Sequence, residues 1–216
     1  MIGDIIHIED QHLLPARKIV EQIKDNISAA KKYTLTVGGE SGSGKSTLAL
    51  AIKKILEIEK INCFIFHMDD YFKLPPITNH EARLKDINWV GPEEVRLDLM
   101  QEHINEFKNG VIRIEKPLVD YKANDILSDG VDLSTFKVAI AEGTYTSLLE
   151  NIDAKIFLLR NYVDTRENRI KRARDPIIPF NERVLEIEHN IISKHVEFAD
   201  VLVGKNYEVT QCAQFK

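Results

Sequence analysis

A three-layer α/β fold, with helices on both faces of a central parallel sheet, is what this sequence predicts. Short apolar runs of strand length alternate with longer helical patterns, the order that builds parallel sheets from crossover units. The segment Gly39-Glu40-Ser41-Gly42-Ser43-Gly44-Lys45-Ser46 fits G-x-x-x-x-G-K-[ST] between a strand and a helix, the setting a phosphate-binding P-loop needs. Two further apolar runs end in acid, at Asp69-Asp70 and at Glu142. Ligands of open α/β sheets gather at such carboxyl ends.

The elements follow in order. Leu13 to Lys32 carries Ile19, Ile23 and Ile27 at i+4 spacing, one apolar stripe of a helix, with Pro15 suited to its first turn. This stretch, residues 1–32, reads as a helical extension packed on the main domain, 33–216. Tyr33 to Val37 is a buried strand, and the P-loop and a helix to about Lys60 follow. Ile61 to Met68 is a second buried strand. Lys73 to Trp89, with Pro75-Pro76 and many charges, reads as a long irregular excursion, which in a compact domain is usually functional. A helix spans about Pro92 to Lys108 and ends at Asn109-Gly110. Val111 to Glu115 reads as a short strand, and Lys116 to Asp132 as irregular. Phe136 to Ala141 and Ala154 to Leu159 are further buried strands. Asp164, with Glu167 three residues on, has the pattern of a capping box. Its helix carries Arg166, Arg169, Lys171, Arg172 and Arg174 and is interrupted by Pro176 and Pro179. Asn181 to Glu197 reads as a long helix, and Asp200 to Val203 as the last core strand.

Bulk properties narrow the classes. The chain has 216 residues, is 44% hydrophobic and carries a net charge of −5. That suits one domain with a substantial core and lacks the basic footprint of a nucleic-acid binder. The two cysteines, Cys63 and Cys212, give neither a disulfide framework nor zinc spacing. No apolar run approaches the ~20 residues needed to span a bilayer, so no membrane partner and a cytoplasmic location are expected.

The motif sets the chemistry. Its glycines let backbone N–H groups wrap a phosphate, and the helix N-terminus adds partial positive charge. Gly39, Ser41, Gly42, Ser43, Gly44, Lys45, Ser46 and Thr47 are the candidate nucleotide-binding residues. Lys45 can reach the β- and γ-phosphates, and Ser46 can offer its hydroxyl to Mg²⁺. Phosphoryl transfer to a hydroxyl also needs an orienting base, oxygen ligands for the metal and cations over the moving phosphate. Asp69 fits the first need, Ser46 and Glu142 the second, Lys45 and the arginine helix the third. Asp69 or Asp70 could instead cap the next turn, Glu142 could be a structural carboxylate, and some arginines could form a solvated face.

The order of P-loop, Asp69-Asp70-Tyr71-Phe72, Pro117-Leu118-Val119-Asp120-Tyr121, Glu142-Gly143 and Asp164-Thr165-Arg166-x-x-Arg169-x-x-Arg172-x-Arg174 resembles the uridine kinase/phosphoribulokinase family, over about residues 33 to 204. The resemblance implies a parallel-sheet P-loop kinase with an Arg-rich helical lid, here about 164–182. It implies that Asp69 is the base toward the acceptor hydroxyl and a metal ligand, with Glu142 also serving the metal. Arg166 and Arg169 become catalytic lid residues, and Arg172 and Arg174 hold the nucleotide. ATP or GTP and Mg²⁺ are implied, as is a homo-oligomer.

The nucleoside-reading positions depart from that pattern. Val90 stands where uridine kinases carry an Asp that holds the ribose hydroxyls, and Val119, Tyr121 and Asn124 replace other expected residues. Asp69, Tyr71, Phe72, Arg83, Asp120, Tyr121 and Asn124 are the candidate acceptor-binding residues, with Asn88 and Trp89 nearby. The function expected is phosphoryl transfer from ATP or GTP to a small-molecule hydroxyl, a uridine- or cytidine-type nucleoside first. A different sugar or vitamin alcohol is the alternative acceptor. A nucleotide-driven regulatory module without acceptor turnover is the other class.

Overall fold

Period-two burial along the inner strands sorts side chains onto two cores. In β5 (Val138–Glu142), Val138 and Ile140 join one core while Ala139 and Ala141 join the other. In β6 (Ala154–Leu158), Ala154, Ile156 and Leu158 take the first side and Phe157 the second. A sheet buried on both faces reads as continuous apolar runs, which is why these strands were visible in the sequence. The computed structural model describes residues 8, 10–172 and 178–212.

The sheet has six strands in the order β2-β5-β1-β6-β7-β8. Besides β5 and β6 these are β1 (Tyr33–Gly39), β2 (Cys63–His67), β7 (Val201–Val203) and β8 (Val209–Gln211). All neighbours are parallel except the β7–β8 edge pair. Against one face lie α1 (Asp10–Ala29) and α2 (Lys45–Ile58). Ile19, Ile23 and Ile27 of α1 are at most 1% exposed, and burying each contributes roughly 1.5–3 kcal/mol. The other face is covered by α4 (Leu97–Lys108) through Met100, Ile104 and Phe107, and by Ile192 at the end of α6 (Pro179–Ile192). Burial pushes the Cys63 thiol up to about 12, leaving it an inert core group.

Several expectations are corrected. The excursion after Asp70 contains a helix, α3 (Pro76–Lys85), because Pro76 occupies its first turn, where a missing N–H costs nothing. The stretch read as irregular from Lys116 is an antiparallel hairpin of β3 (Arg113–Asp120) and β4 (Asp125–Asp132), forming a sheet of its own. Pro15 lies inside α1, beyond the first turn, because the helix begins at Asp10. The last helix breaks at Ile192, and a 3₁₀ segment, Ser193–Phe198, follows.

Asp164 caps no helix. Its Oδ2 accepts from the Asn161 backbone and its Oδ1 pairs with Lys205, while α5 starts at Arg166 and runs to Arg172. Arg174 and the side chain of Arg172 lie outside the described residues.

Candidate active site

Sheet order brings the sequence candidates together. β5 lies between β1 and β2, with Glu142 opposite both Val37 and His67. The P-loop leaves β1, Asp69 follows β2, and Glu142 closes β5, so all three meet at one edge. Glu142 is 4% exposed, with Oε2 accepting from Ser46 Oγ at 3.1 Å and Oε1 lying 2.7 Å from His67 Nδ1. His67 was not foreseen. Only pairing with β5 shows that the last residue of β2 meets this carboxylate.

Gly143 makes the junction possible. Its φ is 157°, and a Cβ there would lie 2.2 Å from Met68 Cβ, just before Asp69. Gly143→Ala is expected to lower unfolding free energy by about 3 kcal/mol through overpacking. Urea denaturation checks this, and wild-type stability would mean the strand end does not press on Met68.

In the P-loop, Lys45 is buried and donates from Nζ to the Glu40 carbonyl at 2.9 Å. Gly39 ends β1, while Ser46 and Thr47 lie in the first turn of α2. Gly42 has φ 76°, and a Cβ there would meet Arg169 Cγ at 2.9 Å. Thr165 Oγ1 donates to Ser41 O at 3.3 Å. Glu40, 6% exposed, accepts from the Tyr162 backbone and lies 2.6 Å from His189 Nδ1 on α6. These contacts hold the P-loop against α5 and α6.

Between the P-loop, α3, the hairpin and α6 lies a cleft of about 260 Å³. Ser41, Asp69, Phe72, Arg83, Tyr121 and Arg169 all line it, as do Asn79, His80, Thr144, Asn181 and Glu188. Arg169 donates to Tyr162 O at 3.0 Å and pairs with Glu182 at 3.3 Å. Arg83 grips Glu94 through two hydrogen bonds, of 2.6 and 3.0 Å, and reaches Glu188 at 3.3 Å. Burial pushes the Glu188 carboxyl above its ordinary value, against the pull of Arg83.

Other candidates lie elsewhere. Tyr71 is 0% exposed, with its hydroxyl 2.8 Å from His103 Nδ1. It is a core residue and not an acceptor contact, because the 3₁₀ turn Met68–Tyr71 points it inward. Asp70 is likewise buried, accepting from Lys116 Nζ and the Val119 backbone. Asp120 does not line the cleft. It accepts from the backbone N–H groups of Lys122 and Ala123 in the hairpin turn. Asn124, at φ 52°, is also outside the lining and accepts from Ile77 N at the start of α3. Arg166 is exposed on α5 and is not a lining residue.

Of the six buried polar side-chain atoms without a hydrogen-bond partner among the described residues, two lie at the phosphate loop: Ser43 Oγ in it and Arg169 Nε over it. Buried polar groups rarely stay unpaired, and both fit a phosphate-bearing ligand. The oxygens of Ser46 and Glu142 suit Mg²⁺. Among the described residues no cluster of three or more His, Cys, Asp or Glu could cage a metal.

A P-loop on the central strand, with carboxylates at the neighbouring strand ends, is an arrangement found in the P-loop nucleotide-binding fold. Residues 34–175 match the Phosphoribulokinase / Uridine kinase family, and the chain belongs to that family. It is 28% identical over 196 residues to the bifunctional alpha-galactosidase/sucrose kinase AgaSK of Mediterraneibacter gnavus, covering 84% of this chain and 21% of that protein. It is 27% identical over 139 residues to a uridine kinase of Ureaplasma urealyticum serovar 10, covering 64% of this chain and 65% of that one. The chain thus spans about a fifth of the first relative and just under two thirds of the second. The D-glycerate 3-kinase of Cryptococcus neoformans var. grubii serotype A has the same fold at a TM-score of 0.60 and 13% identity, over 94% of this chain and all of that one. Among the described residues no helix is long and apolar enough to cross a membrane.

Proposed function

We propose that the protein transfers the γ-phosphate of ATP or GTP to a hydroxyl of an uncharged, hydroxyl-rich small molecule, a sugar or a nucleoside. The observation that carries this is the charge balance of the cleft. Its described cations are Arg83 and Arg169. Arg83 is held by Glu94 and Glu188, and Arg169 by Glu182. An anionic acceptor would need a cation without a carboxylate partner, whereas neutral hydroxyls would pair with polar lining groups such as Asp69, Thr144 and Asn181. Val90, where uridine kinases carry the ribose-holding Asp, is 5% exposed and outside the lining. That observation favours a sugar, as does the match to a protein named for sucrose kinase activity. The uridine kinase relatives favour a nucleoside.

The residues would act as follows. Asp69 accepts the proton of the attacking hydroxyl and orients it. The P-loop amides, Ser43 and Lys45 hold the β- and γ-phosphates, and Arg169 presents its free Nε edge to the moving phosphoryl group. Ser46 and Glu142 hold Mg²⁺, with His67 fixing the Glu142 carboxylate from its other oxygen. The ion neutralises charge on the phosphate oxygens. The segment at about 164–182 closes as a lid and excludes water.

A panel of acceptors tests the reading. ATP consumption is expected to rise with a neutral sugar or nucleoside and to stay at background with phosphosugars and hydroxy acids. Stimulation by an anionic acceptor alone would reverse the charge argument. A flat rate across the panel would favour a regulatory module instead.

A further inference from the structure

The P-loop pattern leaves its second position open, and in this chain a glutamate, Glu40, fills it. A carboxylate in a loop that wraps a triphosphate works against the ligand, since like charges repel at close range. Glu40 is nonetheless buried, and both of its side-chain oxygens are engaged. Oε1 lies 2.6 Å from Nδ1 of His189 on α6. A carboxylate only accepts, so the imidazole donates there. Oε2 accepts from the Tyr162 backbone N–H at 2.7 Å. The Tyr162 ring packs on the His189 ring, with centroids 5.5 Å apart and planes inclined by 53°. The carboxylate is thus held between α6 and the connection from β6 to α5, and it cannot rotate without breaking a hydrogen bond.

Tyr162 in turn holds Arg169. Its carbonyl accepts from Arg169 Nη2 at 3.0 Å, and Arg169 Nη1 pairs with Glu182 at 3.3 Å. Both Nη groups are therefore engaged, and Nε is buried without a partner among the described residues. The stem of the same arginine crosses Gly42, where an added Cβ would meet Cγ at 2.9 Å. We infer that Glu40 is a positioning residue for phosphoryl transfer: it fixes the Tyr162 main chain and, through it, the Arg169 guanidinium over the phosphate loop. This role rests on the proposed transfer reaction, in which Arg169 faces the moving phosphoryl group. A cation set in place beforehand needs no reorganisation at the moment of reaction. That gain belongs to the transfer step, whereas the carboxylate itself offers the bound phosphates nothing attractive. The two effects of Glu40 therefore fall on different quantities: its charge on ATP affinity, its hold on Tyr162 on kcat.

Glu40→Ala, Arg169→Met and the double variant are compared for kcat, with the best acceptor from the panel, and for MgATP affinity by calorimetry. Arg169→Met is expected to lower kcat about 10²-fold, as the loss of one preorganised transition-state donor does. Glu40→Ala is expected to lower kcat roughly 10-fold, a coupling ordinary for residues in one hydrogen-bond network. Its ATP affinity is expected to be unchanged or higher, which also reports an intact P-loop. The double variant is expected to be no slower than Arg169→Met, because a residue that acts through Arg169 has no effect once that side chain is gone. Glu40→Gln keeps an oxygen for the Tyr162 N–H, and its NH₂ can face the other tautomer of His189, so it is expected to recover most of the lost kcat. Losses that multiply in the double variant would separate Glu40 from Arg169 and overturn the assignment. Glu40→Ala losing ATP affinity by the same factor as kcat would overturn it too, as the mark of a residue that shapes the P-loop itself. A glutamine variant as slow as the alanine one would rule out the route through Tyr162. Full turnover in Arg169→Met would remove the residue on which the role depends. A wild type without acceptor-stimulated turnover would overturn the transfer reading itself, and this role with it.

Discussion

Asp69→Asn is expected to lower kcat by about 10²–10⁴-fold, the contribution typical of a positioned general base, with ATP affinity little changed. The side chain follows β2 directly, is half-buried and lines the cleft together with Thr144 and Arg169. Asparagine keeps its shape and its ability to orient a hydroxyl but cannot take the proton. The groups proposed to hold phosphate belong mainly to the P-loop, on a different strand end, so binding and transfer are expected to separate. The measurement is kcat with the best acceptor from the panel, alongside calorimetric ATP affinity. A variant with full turnover would remove Asp69 from proton transfer. A variant that loses ATP binding as well would make it chiefly a metal ligand.

The next residue shows how far sequence reaches into such a site. Asp69, Asp70 and Tyr71 are adjacent and equally suggestive on paper. The 3₁₀ turn sends them to three environments: the cleft, a buried pair with Lys116, and the core beside His103. No periodicity predicts that split, because a one-turn segment has no long face. The P-loop and Glu142 were legible because a strand end fixes where its next residue goes. His67 was equally placed, yet its meaning depends on β5 lying beside β2, a pairing of residues 75 apart in sequence.

The missed elements have physical reasons as well. β4 reads Asp-Ile-Leu-Ser-Asp-Gly-Val-Asp, poor in strand formers, and five of its eight residues are exposed. Pairing with β3, not propensity, makes it a strand. Asn124 is a candidate acceptor contact on sequence because it stands where the resembled family carries an acceptor-reading His. In the fold its left-handed backbone and its bond to Ile77 N make it the joint between hairpin and α3. Glu188 is absent from the sequence candidates. One signal for it did exist: it lies on the stripe of Val184, Leu185, Ile191 and Ile192, where a carboxylate is out of place unless it has a partner.

That partner sets the largest stability effect expected. Arg83→Met removes the cation shared by Glu94, which is 0% exposed, and Glu188. Glu94 keeps its bonds from Asn79 and the Gly91 backbone, but two buried carboxylates lose their shared counter-charge. Breaking a buried pair in this way costs about 3–5 kcal/mol. Arg83→Lys is expected to recover little, since a single ammonium cannot reproduce the two-pronged grip on Glu94. The pH dependence identifies the cause. Burial already raises the Glu188 carboxyl above its ordinary value of 4.5, and Arg83 opposes that rise. Without Arg83 the folded-state value climbs further. A carboxyl whose folded value exceeds its unfolded one binds its proton more tightly when folded, so stability increases as pH falls from the raised value toward the unfolded one. The deficit of Arg83→Met, measured by urea denaturation, should therefore be smaller near about pH 5.5 than near about pH 8. An equal deficit at both pH values would trace the loss to packing of the arginine stem. A deficit under about 1 kcal/mol would mean that the pair contributes no more than an exposed one.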